Sequence, residues 1–247
     1  MKKRKFIIFL LYASPLPVLF LSLCIGPSET ASFQKITKYL FQYLTGNMTE
    51  ASDNQIFQTI VFDVRLPRIL LAFLVGGALS VSGNGLQAIF RNPLVSPYIL
   101  GLSSGAAFGA AFALACTFLP VQVSAFLFGL VAVILSYMVA HRHKKISIVS
   151  LILSGVIVSG IFTALLTIIQ FLSDPFKLQS IVHWTMGNLH NAGWQSFNSA
   201  IIPILLGVIV LYIMRWKLNV LSLGDVEART SGMNYERGKI IILIAAT

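Results

Sequence analysis

Residues Arg65–Gly109 read RLPRILLAFLVGGALSVSGNGLQAIFRNPLVSPYILGLSSGAAFG, and their punctuation decides the fold. Arg65 and Arg68 flank Leu66 and Pro67 at the head of an apolar run. Arg91, Asn92 and Pro93 close it, Pro97 follows, and Gly101, Gly105 and Gly109 open the next run. No formal charge falls between Ile69 and Phe90. At about 1.5 Å per residue, a helix of that length crosses a bilayer. Both ends of the run are therefore places where a membrane helix meets water.

The rest of the chain agrees. Of 247 residues, 56% are hydrophobic and only 11% charged, with a mean hydropathy of +0.83. A soluble domain carries about 25% charged residues. Apolar runs at 6–26, 69–90, 98–118, 121–140, 146–172 and 197–214 predict six spans, with a seventh starting near Lys239. The expected architecture is an all-α, polytopic transmembrane helix bundle forming one domain over residues 1–247. An outer loop is expected at 27–64, with a short helix around Ser32–Leu44. Phe6–Gly26 reads as a retained first helix, because its apolar stretch is too long for a typical signal core.

The net charge of +10 invites a nucleic-acid reading, but its distribution argues against one. With the N-terminus in the cytoplasm, 13 of the 18 basic residues fall on the inner side. The outer side holds Lys35, Lys38, Arg65, Arg68 and Lys177, together with most of the acids. Positive-inside bias explains the charge, so no nucleic acid is expected. Cys24 and Cys116 sit in apolar runs and read as small hydrophobes. His183 and His190, beside Trp184 and Trp194, read as polar neighbours of interfacial aromatics. No metal site and no cofactor are expected. Gly232–Ile240 has the wrong glycine spacing for a phosphate loop, with Ile240 where Ser or Thr must bind magnesium.

Small and polar residues recur at spacing four. Gly101, Gly105 and Gly109 share one helix face, as do Ala72, Gly76 and Ser80. Gly155, Ser159, Thr163 and Thr167 do the same on a later run. Such stripes allow close helix packing and interhelical hydrogen bonds, and they can also line a pathway. No Asp, Glu, Lys or Arg lies mid-span, which counts against a carrier driven by an ion gradient. No His, Asp or Glu pair lies within a span, which counts against an intramembrane enzyme.

Three regions together resemble a known family: the Arg65–Gly109 stretch, Trp184-Thr-Met-Gly187, and Leu218-Asn-Val-Leu-Ser-Leu-Gly-Asp225 with Ala228, Arg229 and Gly232. They are similar to the FecCD family, the permeases of ABC importers for iron chelates, haem and vitamin B12. The resemblance runs through nearly the whole chain in order. It implies a type II ABC importer permease of about ten helices in a prokaryotic cell membrane, with no catalysis of its own. Its implied partners are an ABC ATPase dimer, an extracytoplasmic substrate-binding protein, a second permease subunit (identical or not) and membrane lipid. The sequence stops at Thr247 in the seventh run, so a fragment or a truncated product is expected. If partners of the Gly101–Gly109 and Gly155–Thr167 faces lie on the missing helices, those faces would be partly unpaired.

The resemblance also assigns roles. Arg65 and Arg68 break the positive-inside trend on one helix face, and the family implies docking of the binding protein there, with Pro67 in the helix's first turn. Asn92, Pro93 and Leu94 form a turn implied to be the cytoplasmic gate. Residues 216–238 are implied to be the ATPase coupling segment, through Asn219, Leu221, Leu223, Gly224, Ala228, Arg229 and Gly232. Iron chelates lead as substrate, with cobalamin or molybdate-type oxyanions as alternatives.

Overall fold

In this computed structural model, residues 2–26, 32–46, 52–117, 119–141 and 148–247 are described. They are helical nearly throughout, and no strand occurs among them. Five helical stretches are long and apolar enough to cross a membrane: Arg4–Cys24, Gln55–Phe90, Val121–His141, Val149–Leu172 and Trp194–Ile213. A shorter apolar helix, Leu102–Cys116, lies between the second and third. The chain divides into two units, Met1–Val75 with Leu189–Ile201, and Gly76–Asn188 with Ile202–Thr247.

The first unit holds α1 (Lys2–Ala13), α2 (Pro15–Cys24), α3 (Phe33–Thr45), α4 (Ser52–Gln58), a π-helical stretch at Thr59–Arg65, and the beginning of α5 (Leu66–Phe90). Cys24, Ile36, Tyr39 and Val61 form its buried centre. The stretch expected as an outer loop is thus largely helical, and α3 falls close to its expected place. Pro67 does not open a helix. Helical backbone runs continuously through it from Ser52 to Phe90. Proline has no N–H and crowds the preceding turn, and the widened π turns just before it are one way a helix absorbs such a residue. The Leu66 N–H reaches back five residues to the Val61 carbonyl. In that register the donor for Phe62 O would be residue 67, a proline. The indole Nε1 of Trp194 donates to Phe62 O instead, at 3.0 Å.

The second unit holds the rest of α5, a 3-10 turn at Pro97–Leu100, α6 (Leu102–Cys116), α7 (Val121–His141), α8 (Ile148–Leu172), α9 (Pro175–Met186), the later part of α10 (Trp194–Ile213), α11 (Arg215–Leu223), α12 (Asp225–Thr230) and α13 (Tyr235–Ala246). Leu86, Ile89, Phe90, Val95, Leu100, Leu151, Leu211, Leu221, Ala228, Ile242 and Leu243 belong to one core. The short α9 falls in the gap between the spans predicted at 146–172 and 197–214, which the sequence reads as an outer loop. Its start is set locally: Asp174 accepts from the N–H groups of Phe176 and Lys177, with Pro175 in the first turn. Lys177 reaches the Ala115 carbonyl at 2.7 Å, capping the end of α6. The basic turn at Arg142–Lys145 lies outside the described residues.

Candidate functional site

Helix α7 packs against α6 and α8 through the small residues. A Cβ placed on Gly105 would lie 2.5 Å from the Phe128 carbonyl oxygen, and one on Gly109 would lie 2.5 Å from that of Ser124. Gly155 lies as close to the Ile99 carbonyl, and Gly101 abuts Ser159 and Val158. Buried serines bridge the same seams. Ser124 Oγ donates to Gly109 O at 2.6 Å, Ser136 Oγ to Leu100 O at 2.9 Å, and Ser154 Oγ to Ser136 O at 2.7 Å. Gly101, Gly105, Gly109 and Gly155 are therefore packing residues with partners inside this chain. The condition that such partners lie on later helices is not met at these four glycines. The stripe on α8 changes character along its length: Ser159 is half buried, whereas Thr163 and Thr167 are exposed. Among the described residues Thr167 bonds only back to the Thr163 carbonyl, which leaves that face as the pathway candidate.

The two arginines at the head of α5 are not equivalent. Arg65 is 8% exposed, and its Nη1 donates to the Leu23 carbonyl at 2.7 Å, at the end of α2. Its guanidinium also lies against Gly26, where a Cβ would clash. Arg65 is an internal fastener, a correction to the expected pair of outward docking residues. Arg68 is half buried, and its Nε has no hydrogen-bond partner among the described residues.

At the other end of α5 the Arg91–Pro97 turn is built tightly. Asn92 Oδ1 accepts from the Leu94 N–H at 2.9 Å, and Gln87 Nε2 donates to Val95 O at 3.3 Å. Val95 and Pro97 are buried, Asn92 is half buried, and Pro93 is exposed. Leu94 is 87% exposed, a large apolar side chain held outward on a rigid turn.

Residues 215–230 form the paired helices α11 and α12, hinged at Gly224. Gly224 has φ 135 and ψ −179, a region that essentially only glycine occupies. Leu221 and Ala228 are fully buried in the core that also holds Val95. Asn219, Leu223 and Gly232 face outward. The Arg229 side chain lies outside the described residues. Sequence reasoning placed Lys239 at an inner surface, yet it is 1% exposed, 5.6 Å over the Tyr235 ring. Nothing in its sequence context, an apolar run just beginning, marked that burial. His183 pairs with Asn188 rather than with a metal-ligating cluster. No group of three metal-ligating side chains occurs among the described residues.

The FecCD transport family profile matches residues 13–247. The chain belongs to the FecCD transport family. The molybdate import system permease MolB of Haemophilus influenzae is 40% identical over 195 residues, which are 78% of this chain and 58% of MolB. The probable iron chelatin transport system permease of Helicobacter pylori strain 26695 is 42% identical over 175 residues, covering 71% of this chain and 53% of that protein. A solved chain described as an inward-facing conformation of a metal-chelate type ABC transporter superposes with a TM-score of 0.80 at 34% identity, over 97% of this chain and 72% of that one. This FecCD chain thus spans little more than half the length of the curated relatives it matches. The motif resemblance and the helical membrane architecture expected from the sequence are confirmed.

Proposed function

We propose that the chain is part of the membrane permease of an ABC importer and that its cargo is a metal chelate, with iron complexes first. Cobalamin and molybdate-type oxyanions, carried by relatives named for them, are the alternatives. The reading rests above all on the α11–α12 pair. Leu221 and Ala228 anchor it in the core, while Asn219 and Leu223 are offered to a partner. Such a pair transmits a push from a cytoplasmic ATPase into the bundle. The mechanism is alternating access, in which ATPase closure displaces α11 and α12 and the Asn92–Leu94 turn gates release. Arg68, one helical turn beyond the buried Arg65, meets an acidic residue of an extracytoplasmic binding protein. A second permease subunit completes the pathway in the cell membrane.

The test is reconstitution of the full permease with its ATPase and binding protein in vesicles. Internal ATP is supplied, and uptake of a ⁵⁵Fe-labelled ferric hydroxamate, ⁵⁷Co-cobalamin and ⁹⁹Mo-molybdate is measured. ATP-dependent uptake that ignores ionophores supports the proposal. Uptake driven by an ion gradient without ATP overturns it.

A further inference from the structure

Helix α5 ends in a Schellman arrangement. The Asn92 N–H reaches the Gln87 carbonyl at 3.2 Å, and the Arg91 N–H reaches that of Ala88 at 3.4 Å. This places Arg91 at the left-handed position after the helix, with φ 49. Glycine is the usual occupant there, because a side chain adds strain. Helix α12 ends the same way, with Met233 N–H bonded to the Ala228 carbonyl, and there the left-handed residue is Gly232 at φ 73. At α5 an arginine stands in glycine's place.

Its side chain has a destination. A Cβ built on Gly224 would lie 3.0 Å from Arg91 Nη1 and 2.9 Å from Glu227 Oε2. The guanidinium and the carboxylate flank one point on the backbone joining α11 to α12, and that point is open because residue 224 has no side chain. Two exchanges therefore mirror each other: a side chain where the turn prefers none, and none where that side chain must fit. A non-glycine residue held in a disfavoured conformation points to a use for its side chain.

We propose that Arg91 is a latch between the Asn92–Val95 turn and the α11–α12 pair, seated over Gly224 on the side facing Glu227. This inference deepens the importer reading and rests on it for its purpose. Displacement of the short helices is delivered to the turn through the planar guanidinium of one side chain as well as through the apolar core. Arg91 is a positioning residue. It touches no cargo.

The test uses the full permease, assembled with its ATPase and binding protein in lipid nanodiscs, and Arg91→Gly as the principal variant. Glycine relieves the turn, so the melting temperature stays level or rises. The latch predicts that amide exchange across residues 215–230, which the substitution leaves untouched, accelerates by about threefold or more. Arg91→Lys, which keeps charge but loses the planar fork, falls between. ATP consumed per molecule of cargo rises in step. Parent-like exchange at 215–230 in Arg91→Gly overturns the latch, whatever uptake does. If Arg91→Gly fails to assemble, Arg91→Gln is read by the same criterion. A parent complex that hydrolyses ATP but carries no label counts against the importer reading, while the exchange result still decides the latch.

Discussion

Trp194 supplies the Phe62 carbonyl with the donor that proline cannot give it. A side chain far along the sequence thereby mends a helix flaw at Pro67. Replacing Trp194 with Phe keeps an aromatic side chain and removes the donor, so stability should drop by about 1 kcal/mol. In a Pro67→Ala background the backbone regains an N–H, and the same change should cost much less. Denaturation midpoints of the four proteins in detergent give the coupling energy directly. Equal costs in both backgrounds would dismiss the repair.

Arg65 and Arg68 should separate into structure and docking. Arg65→Ala strands the Leu23 carbonyl and opens space at Gly26, so a loss of about 1–3 kcal/mol is expected. Arg68→Glu should leave the melting temperature nearly unchanged and weaken binding-protein affinity. The measurement pairs thermal unfolding with binding-protein titration by light scattering. A destabilised Arg68→Glu alongside a silent Arg65→Ala would reverse the assignment.

Glycine substitutions on α6 and α8 should sort by the space around them. Gly105→Ala drives a methyl into the Phe128 carbonyl and the Ala132 side chain, with an expected cost of about 1–3 kcal/mol. Gly160→Ala meets open space and replaces a poor helix former with the best one. It should be neutral or mildly stabilising. Unfolding in detergent distinguishes the two, and similar losses at both sites would contradict the packing described.

Tyr39 carries the pH prediction. Its ring packs on Tyr43 and Phe57, and its buried hydroxyl has no hydrogen-bond partner among the described residues. Burial, with a smaller contribution from Tyr43, pushes its pKa above the usual tyrosine value. The native state then holds its proton to higher pH than the unfolded chain does. Stability from this group is intact below about pH 10 and is lost as pH rises beyond that toward the raised native value. Tyr39→Phe should match or exceed the parent in stability at neutral pH and show a shallower alkaline decline. An unchanged alkaline slope would exclude Tyr39 as its source.

Much of this was legible in residue patterns. The spacing of Gly101, Gly105 and Gly109 announced a close helix contact, because only missing side chains permit one. Polar character over 219–232 marked a segment outside the apolar spans, and the family resemblance marked it as one unit. Other features depend on partners far apart in sequence. Pro67 looked like a helix start because proline suits a first turn, and nothing nearby revealed that a distant indole would make an internal proline tolerable. Arg65 looked outward because charge normally is, yet the Leu23 carbonyl, 42 residues away, turns it inward. Helix α9 was missed because its polar composition reads as a loop. The Asp174-Pro175 pair was the signal available, an N-cap followed by a first-turn proline.

The seams of α7 also bear on how the bundle is made. Ser124 finds its acceptor 15 residues back, Ser154 finds one 18 residues back, and Ser136 finds one 36 residues back. Each bond closes on chain already synthesised, and short separations make contacts quick to form. The polar seams of α6, α7 and α8 can therefore close in the order in which the three helices are made, before the downstream residues Leu211, Leu221 and Ile242 complete the core around Leu151.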